Sequence, residues 1–257
     1  MTTQAEVERL YVKSDTLTTR MDFHTKYSVN KYGFGNWTFD QYNFKDGMRI
    51  LELGCGTAKI WHNRESRLPK DAKIILSDFS PLMVNKAREL MQDNPAFSFQ
   101  QINIEEIPYV DDSFDMVMAN HVVHHVQDKP KALSEIRRVL KPGGSFYSTT
   151  MGKDTLKELT DIYQKLEGKA SFVSPKDMPF TLEKGRDLLQ QYFTNIEQRQ
   201  YIDSLEITNA DDLVEYVTSY NELCDAVICE LRQLINEGFV NGVFKIQKTQ
   251  GIFICVK

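Results

Sequence analysis

The run Ile50-Leu51-Glu52-Leu53-Gly54-Cys55-Gly56-Thr57-Ala58 constrains this chain more than any other segment. A short apolar stretch ends in an acid and then in two glycines one residue apart. It reads as a buried strand opening into a loop, where the missing Cβ at positions 54 and 56 lets bare backbone turn sharply and approach a ligand. A second apolar strand, Lys73-Ile74-Ile75-Leu76-Ser77-Asp78, sets a carboxylate about 20 residues beyond that loop, where a β-α-β unit presents an acid to ribose hydroxyls.

Strands and helices go on alternating. Ser80-Pro81 offers an N-cap followed by proline at the first helical position, and Met83, Ala87, Leu90 and Met91 then recur at helical spacing. Asp128-Lys129-Pro130 opens another helix, with Leu133, Ile136, Val139 and Leu140 on one face, and Lys141-Pro142-Gly143-Gly144 stops it. Strands over 114–119 and 145–150 flank that helix, so the pattern predicts a parallel sheet wound on both faces. Later elements are looser. Helices are expected near 154–166 and 182–193, a sixth strand over 195–201, a two-part helical stretch over 209–237, and a final buried strand over 251–256. Ahead of the first strand, residues 1 to about 45 crowd aromatics, among them Tyr11, Phe23, Tyr27, Phe34, Trp37 and Tyr42. They form either a lid or a leading helix that packs through its rings.

The 257 residues can bury a substantial core, and a net charge of −5 with mixed signs argues against a binder of nucleic-acid backbones. No apolar run reaches the roughly 18 residues needed to span a bilayer, and the polar start Met1-Thr2-Thr3-Gln4 is unlike a signal peptide, so a cytoplasmic protein with no membrane partner is expected. Cys55, Cys224, Cys229 and Cys255 lack metal-ligand spacing and a disulfide framework, and read as reduced thiols.

Four blocks in order carry a resemblance: Leu51 to Gly56, Leu76 to Ser80, Ser113 to Val117, and Val139 to Gly144. On them the chain resembles the class I S-adenosylmethionine-dependent methyltransferases, in particular the bacterial small-molecule enzymes with a glycine-rich first loop. The resemblance implies a doubly wound, mostly parallel seven-stranded sheet. The aromatic arm over residues 1–45 is then expected as a cap, and the helices between the last strands as a helical insertion at about 203–239 in a catalytic domain over 46–257. The implied cofactor is S-adenosylmethionine. Glu52 and the loop of Gly54 and Gly56 would hold its amino-acid end, Asp78 its ribose diol, and Phe79 and Met83 its adenine faces. Asn103, where an aspartate is common in the family, and the Ile104 backbone N–H would meet the adenine edge, and Asn120 at the end of the fourth strand would be a further contact. Ala58 stands where many members have a third glycine.

His121, His124 and His125 leave the same strand end. No Glu follows His121 as in the zinc-protease signature and no third ligand is evident, so no metal is expected. His121 is the residue aimed at the acceptor as base or anchor, since imidazole titrates near neutrality. His24, Tyr27 and Trp37 are the arm residues expected to close on the cofactor, where an aromatic face suits a sulfonium. Asn120 precedes His121-Val122-Val123 rather than Pro-Pro-Tyr, so the motif that holds a planar amine is absent, and a small molecule accepting on oxygen, nitrogen or sulfur is expected. Two rivals stand beside this reading. A nicotinamide dehydrogenase would want a small residue at Lys59, and a non-catalytic sensor of S-adenosylmethionine could keep the same cofactor residues.

Overall fold

The structure is a computed structural model, and it describes residues 14–91, 94–166, 168–170, 174–220 and 223–257, with side chains from residue 19 onward. Tyr11, one of the aromatics of the arm, lies outside them.

Seven strands form one sheet: β1 (Arg49–Leu53), β2 (Lys73–Asp78), β3 (Phe97–Gln101), β4 (Phe114–Asn120), β5 (Leu140–Met151), β6 (Thr194–Ile207) and β7 (Phe244–Val256). Their spatial order is β3-β2-β1-β4-β5-β7-β6. The first five are parallel, and β1 pairs with β2 on one side and β4 on the other. The chain therefore winds outward in both directions from β1, and the carboxyl ends of β1 and β4 flank a topological switch point, the place where open α/β sheets bind ligands. Gly143 N–H donates to the Lys257 carbonyl and Gly152 N–H to the Thr249 carbonyl, so partners along β7 fall in number as those along β5 rise, and β7 is antiparallel to β5.

The helices are α1 (Ser14–Tyr27), α2 (Phe34–Phe39), α3 (Pro81–Met91), α4 (Lys129–Val139), α5 (Lys157–Lys165), α6 (Gly185–Leu189), α7 (Ala210–Thr218) and α8 (Asp225–Glu237). None of the described helices is long and apolar enough to cross a membrane. The start of α4 follows its sequence signal: Asp128 accepts from the Lys131 N–H, and proline occupies the first turn.

The described residues cluster into two compact units. One takes the chain up to Gly33 with Met151–Met178 and Tyr201–Gln250, and the other takes Phe34–Thr150, Pro179–Gln200 and Gly251–Lys257. In the second unit the period-two alternation of β1 and β4 divides two cores. Leu51, Leu53, Val117 and Ala119 face one, with Ile136 and Phe146, while Ile50, Met116 and Met118 face the other, with Trp61, Phe39 and Ile252. The first unit has a core of its own, in which Phe23 and Tyr27 of α1 meet Leu213 and Tyr216 of α7, Leu231 of α8, and Ile246.

The first crossover departs from the expected alternation. Between β1 and β2 no α-helix forms. The Ala58, Trp61 and Arg64 N–H groups instead donate to the carbonyls three residues back, and a 3-10 turn follows at Glu65–Arg67. Ala58 at φ +59° and Asn63 at φ +59° explain this, because a left-handed residue cannot continue a right-handed helix. The series of tight turns draws the Trp61 side chain under the end of β1.

Candidate active site

Glu52 sits in β1, one residue before its end, with 1% of its surface exposed. Its side chain points to the face that carries Ile50, and a carboxylate at that depth is tolerated only if it is compensated. Trp61 Nε1–H donates to Oε2 at 2.5 Å and Asn120 Nδ2–H to Oε1 at 2.9 Å. Both donors are neutral, and among the described residues Glu52 takes part in no ion pair. Burial raises its pKa above the ordinary carboxylate range against the pull of the two donors, and the neighbouring Asp78 charge adds to the rise.

Asp78 closes β2 and accepts from the Gly56 N–H at 3.0 Å and the Ser80 N–H at 2.8 Å. It thereby ties the glycine loop to the start of α3, and burial raises its pKa as well. A carboxylate offers about four acceptor positions, so the two carboxylates keep sites free after these bonds.

Gly54 and Gly56 both adopt left-handed backbone, at φ +71° and +55°. A Cβ on Gly54 would fall 2.3 Å from Val122 Cγ2, whereas a Cβ on Gly56 would meet nothing within 4 Å. The loop is therefore closed against the protein on one side and open on the other. Phe79 is half-buried beside Asp78, and Met83 is buried in the first turn of α3. Asn103 is exposed; its Oδ1 accepts from the Glu105 N–H at 3.0 Å, and half-buried Ile104 packs against the core.

Asn120 ends β4 and accepts from the Tyr42 hydroxyl at 3.0 Å while donating to Glu52. His121 follows at φ +55°, a region uncommon for a residue with a side chain, and its N–H is held by the Thr149 carbonyl at 3.1 Å and the Thr149 hydroxyl at 3.0 Å. Strain of this kind gathers at functional sites. The Phe34 ring lies 5.4 Å from the imidazole, and Trp37 stacks on Phe34 at 5.7 Å. His124 and His125 lie in the next turn with ring centroids 4.1 Å apart, and burial pulls both below the ordinary histidine range, His124 much further.

Of the sequence-expected residues, Trp37, Glu52, Gly54, Gly56, Asp78, Phe79, Met83, Asn103, Ile104, Asn120 and His121 belong to the second unit. Tyr27 and His24 belong to the first, where the Tyr27 hydroxyl donates to Asp212 at 2.6 Å and His24 Nε2 lies 3.1 Å from the Tyr216 hydroxyl. Sequence reasoning missed Trp61 and gave Tyr42 no role beyond a lid or packing. A signal existed for Trp61, one of only two tryptophans, placed in a short polar stretch just after the glycine loop.

Comparison with known proteins agrees with this geometry. A family model described as "Methyltransferase domain" matches residues 44–206, and the chain belongs to that family. Among curated proteins it is similar to the ubiquinone/menaquinone biosynthesis C-methyltransferase UbiE of Vibrio parahaemolyticus, 33% identical over 130 residues that make up 49% of this chain and 50% of that protein. The chain thus spans about half the length of the curated relatives it matches. Among solved structures it is similar in fold to the YcgJ protein of Bacillus subtilis (TM-score 0.58, 18% identity, 87% of this chain and 97% of that one). It is similar in fold also to a SAM-dependent methyltransferase of Aquifex aeolicus (TM-score 0.58, 13% identity, 95% of this chain and 98% of that one).

Proposed function

We propose that this protein transfers a methyl group from S-adenosylmethionine to a small-molecule acceptor. The observation that carries the reading is a pair of acids, buried Glu52 and half-buried Asp78, on either side of an open left-handed glycine at the switch point of the sheet. The donor set suits the cofactor. Glu52 is a buried acid for an ammonium, Asp78 keeps acceptor capacity for a ribose diol, and the space at Gly56 admits a ligand against backbone.

When bound, the cofactor supplies a methyl group already activated on a sulfonium. The remaining work falls to the protein: it aligns the acceptor, excludes water and, where the acceptor carries a proton, removes it. His121 occupies the end of β4 beside Asn120, its backbone fixed by Thr149 and its ring against Phe34, and serves as base or acceptor anchor. Oxygen, nitrogen and sulfur acceptors fit this arrangement. The similarity to C-methyltransferases adds a carbon acceptor, which also loses a proton on methylation.

The test has two parts. Calorimetry should show S-adenosylhomocysteine binding, weakened roughly ten- to a hundredfold by Asp78→Ala, the scale for lost hydrogen bonds to a charged group. A turnover screen over pooled metabolites, phenolic ring compounds included, should then release S-adenosylhomocysteine from S-adenosylmethionine. Binding without turnover on any acceptor would favour the sensor reading, and absence of binding would overturn both.

A further inference from the structure

Glu52 is supported by a directional chain of side chains. The Tyr42 hydroxyl donates to Asn120 Oδ1 at 3.0 Å, which turns the amide so that Nδ2–H donates to Glu52 Oε1 at 2.9 Å. From the other side Trp61 Nε1–H donates to Oε2 at 2.5 Å. An indole has one N–H and no acceptor, so this donor has a single use once the ring is fixed. The ring is fixed: Trp61 is fully buried and lies edge-on to Phe39 and Phe97, each at 5.7 Å. Tyr42 is buried likewise, edge-on to Tyr147 at 5.2 Å. Neither Trp61 nor Tyr42 carries a charge, yet between them they hold both oxygens of a buried acid, Tyr42 through Asn120. Such an arrangement orients a carboxylate without neutralising it, and leaves its charge for a cation that arrives from outside.

We infer that Trp61 and Tyr42 are positioning residues for the cofactor's amino-acid end: they fix the Glu52 carboxylate for the ligand's ammonium, so that recognition of the amino-acid portion depends on two side chains acting only through Glu52. The inference rests on the cofactor reading above. It adds that the two ends of the ligand are read by separable sets of residues, Asp78 for the ribose and the Trp61–Glu52–Asn120–Tyr42 set for the ammonium.

Two ligands separate the sets. S-Adenosylhomocysteine has both ends, whereas 5′-methylthioadenosine keeps the adenosine and the thioether and lacks the amino acid. Calorimetry on the intact chain should show both bound. Trp61→Phe removes the N–H while retaining an aromatic ring, and should weaken S-adenosylhomocysteine about tenfold, the scale of a hydrogen bond to a charged group, while leaving 5′-methylthioadenosine within about twofold. Tyr42→Phe should act in the same direction and more weakly, because it works through Asn120. Equal losses for both ligands in folded variants would mean a general packing role and would overturn the inference, as would unchanged binding of S-adenosylhomocysteine. If Trp61→Phe does not fold, Tyr42→Phe decides by the same comparison. Failure of the unaltered protein to bind either ligand would defeat the cofactor reading itself, an outcome distinct from equal losses.

Discussion

Two glycines with similar backbone angles have opposite constraints. Gly54 at φ +71° is pressed against Val122, so Gly54→Ala adds a steric clash to backbone strain and should cost about 2–4 kcal/mol. Gly56 at φ +55° faces open space, so Gly56→Ala should cost only the strain, about 1 kcal/mol, yet place a methyl group where the ligand must approach. Thermal melts and calorimetry run side by side check this: Gly54→Ala should lower the melting temperature far more, and Gly56→Ala should lose S-adenosylhomocysteine affinity while still melting cooperatively. A Gly56→Ala protein with full affinity would show that the loop does not cradle the cofactor. Ala58 at φ +59° is the reverse case, where Ala58→Gly relieves strain and should be tolerated.

At the scale of the element, Asp115 of β4 holds strands together rather than serving chemistry. Its carboxylate accepts from the Arg49 N–H at the start of β1 at 2.8 Å and pairs with Lys141 of β5 at 2.7 Å. Burial alone would raise its pKa, but these bonds hold it below the ordinary range. A depressed acid contributes stability above its unfolded pKa of about 3.9 and loses it as pH falls through the lower folded value. Asp115→Asn should therefore unfold at lower denaturant than the unaltered protein at pH 7, and the gap should narrow below about pH 4. In the first unit, Asp203 of β6 accepts from Lys248 Nζ at 2.9 Å, from the Ser28 hydroxyl at 2.5 Å and from the Asn30 N–H at 3.0 Å, with the carboxylate fully buried. Asp203→Ala would strand a buried ammonium and should cost about 3–5 kcal/mol in chemical denaturation. A cost near zero would mean that Lys248 finds water.

The same scale shows what could be read in advance. The helix start at Pro81 and the bounds of β2 were legible because caps and apolar runs are local signals. β6 was expected over 195–201 and runs over Thr194–Ile207; most of its early residues are exposed, so no alternation marked it. β7 was expected from residue 251 and begins at Phe244, where Phe244, Ile246 and Lys248 do alternate inward, but a buried lysine breaks the apolar pattern. The helix expected over 182–193 shrinks to Gly185–Leu189. Glu52, Gly54, Gly56 and Asp78 could be picked out because spacing along the chain defines them. Trp61 could not be joined to Glu52, because the link depends on left-handed turns that Ala58 and Asn63 do not advertise.

For the whole molecule, ligand binding should act on scattered segments of sequence that the sheet gathers. Hydrogen exchange with S-adenosylhomocysteine should show added protection at residues 53–58, 78–83 and 119–122, and little at the strand starts near Arg49, Lys73 and Phe114. Protection spread evenly over both ends of the strands would indicate global stabilisation rather than a site at the switch point.

The strand order sets a timetable for biosynthesis. β7 comes last along the chain, yet it lies between β5 and β6. A ribosome that has made β6 has made a strand that can bridge back to Ser28 but whose neighbouring strand, β7, does not yet exist, and the edge that β7 covers stays unpaired until residues 244–256 emerge. A nascent chain stalled before residue 244 can assemble β1 to β5 but carries β6 as an open edge, the form of this protein most exposed to wrong pairing and most in need of a chaperone.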